Sequence, residues 1–166
     1  MMTVRRIRSG DGASLREVRL RALDSDPDAF GSTYEREIAL TEDEWEKRVE
    51  SSAAGPDDFI VVGEGDHGFV AMAGAFSRAE TPSIRNLYGM WVAPETRGSG
   101  VGERLVGAII GWSEEVGAGE VRLWVVESNL AAVRLYEKAG FTPTGETQAL
   151  PSNPELVEMR MRITLI

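Results

Sequence analysis

Cysteine is absent from the 166 residues. That excludes a disulfide framework, a thiolate metal site and a thiol nucleophile, so any acyl transfer is expected to pass directly from donor to acceptor, with no acyl-cysteine stage. No metal requirement is expected. Histidine occurs once, as His67 inside Glu64-Gly65-Asp66-His67-Gly68. With no Ser, Cys or second His placed around it, it reads as a solvent-facing turn residue rather than a catalyst. No apolar run approaches membrane length, and the opening Met1-Met2-Thr3-Val4-Arg5-Arg6 lacks the hydrophobic segment of a signal peptide, so a cytoplasmic location without membrane contact is expected. Basic residues are outnumbered, 18 Lys and Arg against 27 Asp and Glu. The resulting net charge of −9 disfavours nonspecific nucleic-acid binding and is compatible with a cationic amine as substrate. Repeats and low-complexity tracts are also missing. An ordinary globular balance of 42% hydrophobic and 27% charged residues then suggests one domain, 1–166, with a real core.

What is present is organised around residues 86–116. Leu87-Tyr88-Gly89-Met90-Trp91-Val92 reads as a buried strand, which Pro94 stops because it has no amide hydrogen to give to a ladder. Leu105, Val106, Ile109, Ile110 and Trp112 then recur at near-helical spacing. Between strand and helix stand Gly98, Gly100 and Gly102. A strand, a glycine-rich turn and a helix start together make an anion site, because glycine permits close backbone approach and the first helical amides lack intrahelical partners. The spelling is not a Walker loop, since no lysine follows the glycines. Nor is it a dinucleotide fingerprint, whose third glycine would fall on Glu103.

Elsewhere the chain alternates recognisable elements. Val4 and Ile7 belong to a short first strand, and Leu15, Val18, Leu20 and Leu23 to an amphipathic helix. Residues 24–33, polar and aperiodic around Phe30, read as a long connection of the kind that is often functional. Thr41 and Glu44 spell a capping box for a second helix carrying Trp45 and Val49, followed by a linker over residues 51–58. Residues 59–63 and 69–77 form a hairpin. Val121, Leu123, Val125 and Val126 make the strand after the central helix. A helix over residues 130–139 follows, capped by Ser128 or Asn129 and ended by Gly140. Thr142-Pro143-Thr144-Gly145-Glu146 starts another strand, residues 148–154 read as a loop placed to cover a cleft, and residues 157–163 alternate as a last strand.

Two segments in this order resemble the GNAT superfamily of N-acetyltransferases. Arg-x-x-Gly-x-Gly, as Arg97, Gly100 and Gly102, is similar to the family's pyrophosphate loop. Asn-x-x-Ala-x-x-Leu-Tyr-x-Lys-x-Gly-Phe, from Asn129 to Phe141, is similar to its second signature segment. The resemblance implies an α/β (α+β) fold: a single mixed, mostly antiparallel sheet, splayed at its middle strands and flanked by helices. It implies acetyl-CoA as cosubstrate and an amine of a small molecule or peptide as acceptor, with a homodimer a further expectation because many relatives pair through terminal strands.

The resemblance also assigns roles. The pyrophosphate would lie on the amides of Gly98, Ser99, Gly100, Val101, Gly102 and Glu103, with Arg97 as an additional donor. The pantetheine arm would pair with exposed backbone near Trp91, Val92 and Ala93, while Asn129 and Tyr136 would contact the arm and the sulfur. Tyr136 would act as general acid toward the leaving thiolate. Phe30 and Tyr88 are candidates for contact with the acceptor. Where some relatives carry a carboxylate base on the central strand, this chain has Asn86, which cannot accept a proton, although a bulge at Gly89 would shift the faces of Asn86, Tyr88 and Met90. Glu127 is one candidate base and a water relay another. Two further readings stay open: a module of the same fold that binds acyl-CoA without chemistry, and a nucleotide-dependent enzyme.

Overall fold

In the computed structural model, which describes residues 2–166, seven strands form one sheet in the order β1-β2-β3-β4-β5-β7-β6. The strands are β1 (Thr3–Arg6), β2 (Asp58–Gly65), β3 (Gly68–Arg78), β4 (Thr81–Val92), β5 (Glu120–Val126), β6 (Thr142–Leu150) and β7 (Asn153–Thr164). The helices are α1 (Gly12–Ser25), α2 (Tyr34–Ile38), α3 (Glu42–Ala53), α4 (Val101–Glu115) and α5 (Leu130–Ala139). All neighbouring strands pair antiparallel except β4 and β5.

Both faces of the sheet are covered, and the sequence of β2 shows it. Phe59 and Val61 belong to the core shared with α4, where Phe59 stacks on Trp112 at 4.8 Å; Ile60 and Val62 belong to the core shared with α1 and α3. An unbroken Phe-Ile-Val-Val run is what a strand buried on both sides requires, because successive side chains point to opposite faces. The capping box of α3 is formed as its spelling foretold, with Thr41 Oγ1 accepting from Glu44 N at 3.2 Å and Glu44 Oε1 from Thr41 N at 3.1 Å.

Two features of the sheet make a cleft. The first is a bulge in β4. Met72 faces Trp91 and Gly74 faces Tyr88, so β4 spends three steps where β3 spends two, and Gly89 takes up the extra residue at φ +65°. The bulge resets the alternation: Leu87 faces the α4 core and Tyr88 the opposite side, after which Met90 and Val92 return to the α4 side while Trp91 packs among α1 and α3. The second is the short reach of the parallel pair. β4 and β5 are hydrogen-bonded only from Ile84↔Glu120 to Leu87↔Leu123, although β4 continues to Val92 and β5 continues along β7 to Val126↔Glu158.

Three expectations are corrected. Residues 148–154 are not a loop: β6 runs to Leu150 and pairs with β7 through Gln148↔Glu158 and Ala149↔Val157, leaving only Pro151-Ser152 to turn. Pro143 is tolerated in β6 because that strand is an edge. Residues 24–33 are less irregular than they read, since a 3-10 turn over Pro27–Ala29 leads toward α2, which Thr33 caps by accepting from Arg36 N at 3.3 Å. The linker expected to begin at Ser51 begins later, as α3 continues through Ala53.

Candidate functional site

The glycine-rich turn after β4 is held open as an array of donors. Gly98 and Gly100 have φ of +82° and +84°, in the left-handed region that other residues avoid. Gly100 is the N-cap of α4 and offers no side-chain acceptor. Thr96 N and Arg97 N are used within the turn and Arg104 N donates to Gly100 O at 3.2 Å. Between them, among the described residues, the N–H groups of Gly98, Ser99, Gly100, Val101, Gly102 and Glu103 have no protein acceptor. Six consecutive free amides leading into a fifteen-residue helix are an arrangement able to receive a polyanion. Gly102 contributes differently. A Cβ there would sit 3.4 Å from Leu135 Cδ2 and 3.7 Å from Val92 Cγ2, so its missing side chain lets α4 lie close to α5 and β4.

Arg97 and the end of β4 are tied to α1 through Asp26. Asp26 Oδ2 accepts from Trp91 Nε1 at 2.7 Å and from Arg97 Nη2 at 3.0 Å. Burial pushes this carboxyl up, but the two donors outweigh it and leave it below the usual carboxylate range. Arg97 Nε also donates to Val92 O at 2.9 Å. Ala93 N donates to Val70 O at 2.8 Å, so Ala93 turns its amide toward β3 and Val92, its neighbour, turns both backbone groups toward the gap left by β5. The N–H of Val92 is therefore the free edge donor of the three residues Trp91, Val92 and Ala93. Ser99 Oγ is held by Thr96 O at 2.6 Å, and Glu103 pairs with Lys138 at 2.9 Å, leaving their amides free for the donor array.

On the opposite face, the gap between β4 and β5 opens into a cleft of about 510 Å³. Phe30 and Tyr88, the two residues expected to meet the acceptor, both line it. Phe30 O accepts from Ser152 Oγ, which closes the β6–β7 turn over one end. Tyr88 lies across β3 at Gly74, where a Cβ would come within 2.5 Å of its Cζ, and it meets Phe76 edge-on at 5.5 Å. A second cavity of about 380 Å³ adjoins the first and shares Arg19, Ser32, Tyr88 and Gly89 with it. Asn86 is a latch here and not a base: its Nδ2 donates to Phe76 O at 3.3 Å, and its Oδ1 faces Arg122 Nε at 3.4 Å.

Of the catalytic candidates, Tyr136 is 5% exposed, packs edge-on against Phe141 at 5.8 Å, and has no hydrogen-bond partner for its hydroxyl among the described residues. Burial holds its phenol well above the ordinary value, so it stays protonated and able to donate. Asn129 caps α5, accepting from Ala132 N at 3.3 Å. Glu127 sits exposed in the turn after β5, its amide bound to Val157 O at 3.0 Å. The buried carboxylate belongs to a residue that sequence reasoning passed over. Glu158, 7% exposed on β7, lines the cleft and receives one hydrogen bond, from Gln148 Nε2 to Oε1 at 2.5 Å. Burial raises its pKa above the ordinary carboxylate value and the Gln148 bond offsets only part of that. The alternation of residues 157–163 was the available signal, since it puts Glu158 and Arg160 on one face.

Glu37 lines the second cavity and braces Arg19, which both cavities share. Its carboxylate, 4% exposed, accepts from Arg19 Nε at 3.0 Å and Nη2 at 2.9 Å, and from Arg48 Nη1 at 3.0 Å. Burial pushes it up, but Arg19, then Ser32 and Arg48, bring it below its ordinary value near 4.5. Glu37→Gln should cost about 3 kcal/mol at neutral pH, the low end for breaking a buried ion pair. A folded-state value depressed below the unfolded one stabilises the fold above the unfolded pKa and is lost as pH falls through the folded one. Urea titrations at pH 7 and pH 4 should therefore show the gap between wild type and variant narrowing in acid. An equal gap at both values would remove the ion pair as its cause.

The family model described as "Acetyltransferase (GNAT) family" matches residues 20–141. YobR of Bacillus subtilis, an N-acetyltransferase whose function is uncharacterized, is 44% identical over 70 residues, 40% of this chain and 28% of that protein. A mycothiol acetyltransferase of Thermobispora bispora is 46% identical over 59 residues, 36% of this chain and 20% of that protein. The chain thus spans less than a third of these relatives' lengths. A Salmonella typhimurium protein solved with its cofactor acetyl-CoA has the same fold, with a TM-score of 0.81 at 19% identity over 100% of this chain and 95% of that one.

Proposed function

The chain belongs to the acetyltransferase (GNAT) family, and from that premise we propose that it transfers an acetyl group from acetyl-CoA directly to a primary amine of a small molecule or peptide. The observation that carries the reading is the run of unpartnered amides over residues 98–103, next to a β4 edge whose Val92 N–H is free. A diphosphate needs such an array, and an amide-bearing arm leaving it needs a strand edge within reach. The free amides and the free strand edge support acetyl-CoA as the cosubstrate.

Acetyl-CoA would bring the activated acetyl thioester. The chain's own groups divide the proton work. Glu158 accepts a proton from the amine as its nitrogen bonds to the acetyl carbon, and Tyr136 gives one to the sulfur as the carbon–sulfur bond breaks. Glu158 is preferred to Glu127 as base because burial has raised its pKa toward the working range, whereas Glu127 lies in an exposed turn. The reading as a module that binds acyl-CoA without chemistry draws support from Asn86, which cannot serve as base. A buried carboxylate in the cleft and a phenol with a free hydroxyl speak for catalysis.

Gly100→Val tests the cosubstrate. Valine at φ +84° is strained by roughly 1–2 kcal/mol, so the loop must move and its amides lose their common aim. No heavy atom lies within 4 Å of the added Cβ, so the fold should survive. Calorimetry should show acetyl-CoA binding at least tenfold weaker, about 1.4 kcal/mol. Undiminished affinity in a folded variant would sink the assignment.

A further inference from the structure

The charge of the cleft opposes that of the chain. Carboxylates exceed basic residues overall, 27 to 18, yet the cleft gathers Arg78, Arg122 and Arg160 around the single carboxylate of Glu158. Arg19, the fourth arginine of the lining, is already matched by Glu37. The other three are matched less well. Arg78 forms no ion pair among the described residues and lies over Phe76 at 5.0 Å. Among the described residues Arg122 makes only the long contact to Asn86 Oδ1 at 3.4 Å. Arg160 lies over Trp124, 4.4 Å from the ring centroid, and pairs with the exposed Glu146 at 3.4 Å, while its buried Nε has no partner among the described residues.

Guanidinium groups left short of acceptors in a concave site carry a desolvation cost that an anionic ligand would relieve, and their planar fork fits a carboxylate. Glu158 stands two residues from Arg160 on the same face of β7, roughly 7 Å along the strand. It forms no ion pair with Arg160, and its Oε2 has no donor among the described residues. Space between a carboxylate oxygen that lacks a donor and guanidinium nitrogens that lack acceptors among the described residues suits a molecule with a charge of each sign.

We propose that the acceptor is a small zwitterion, an amine that also bears a carboxylate, as in a free amino acid. The amine is directed to Glu158 and the carboxylate is held by Arg122 and Arg160, with Arg78 at the mouth. This deepens the acetyltransferase reading and rests on it. A polyamine would bring only positive charge to the three arginines and is disfavoured.

The test compares free L-leucine, L-methionine and L-phenylalanine with their primary carboxamides, and with spermidine, in kcat/KM for thiol release from acetyl-CoA. The amides have the shape of the acids without the charge, and their amino groups are less basic, so more of each amide is in the reactive form. That chemical bias runs against the expectation. The acids should nevertheless lead their amides by tenfold or more, with spermidine poorest. In Arg122→Gln and, separately, Arg78→Gln, the acid should fall toward its amide, most in Arg122→Gln, while acetyl-CoA affinity by calorimetry reports that each variant is folded. Amides or spermidine matching the acids would overturn the proposal, as would a full acid preference in both variants or turnover of no amino acid. Each of these outcomes leaves the acetyl-CoA reading standing if calorimetry shows binding. Absence of acetyl-CoA binding to wild type would defeat that reading first and the inference with it.

Discussion

Glu158→Gln should lower kcat by about 10²-fold or more while making the protein more stable at neutral pH. The first effect is the size expected when a general base is removed and shape is kept. The second follows from linkage. Burial raises the folded-state pKa of Glu158 above its unfolded value, so the fold binds the proton more tightly than the unfolded chain does. Stability from this residue is present below the unfolded pKa and is lost as pH rises through the folded one. At pH 7 the ionised carboxylate, with one hydrogen bond from Gln148 and little water, is a burden on the fold. Glutamine removes that burden. Thermal melts of wild type and variant should separate at pH 7, the variant melting higher, and converge near pH 4. In wild type, kcat/KM should rise with pH through an acid limb lying above the ordinary carboxylate range, and the variant should lose that limb. Residual activity close to wild type would return the role to Glu127 or to water, and a variant less stable at pH 7 would mean that Glu158 is there to hold β6 to β7. A gain in stability with a loss of turnover is the combination that marks a strained functional group.

That Glu158 escaped the sequence reading, while the glycine turn did not, has a physical reason. The turn is local: three glycines, a strand before them and a helix after them lie within about twenty residues, and the donor array follows from backbone rules alone. The same holds for the capping box at Thr41 and for the bulge suspected at Gly89, each set by residues adjacent in the chain. Glu158 depends on distant neighbours. Alternation in β7 places it on a face with Arg160, and charges at alternate positions ordinarily mean solvent. Only the fold brings Phe30 and the Pro151 turn over that face and turns it into the wall of a cleft. Arg97 shows the same limit. Its motif suggested a phosphate donor, but Asp26, 71 residues away, already holds one end of its guanidinium, and Val92 O holds another nitrogen.

Tyr136→Phe should lower kcat by about 10²-fold or more and leave acetyl-CoA affinity nearly unchanged. The ring is buried against Phe141, and phenylalanine would keep that packing, so the substitution isolates the hydroxyl. No hydrogen bond of that hydroxyl is found among the described residues, so stability should change little in either direction. If the phenol were merely a core residue, turnover would be close to normal. The acid role also constrains the order of events. A chain without cysteine lacks the usual acyl-enzyme nucleophile, so donor and acceptor must be bound together when the thiolate leaves. Initial rates with an active amine, measured at several fixed acetyl-CoA concentrations, should therefore give intersecting reciprocal plots for wild type and variant alike. In the variant the plots should still intersect, with the maximal rate depressed, because geometry and binding are intact and only the proton donor is gone. Wild-type turnover in the variant would assign the departing sulfur's proton to solvent. Parallel plots would require a covalent acyl carrier that these residues do not provide.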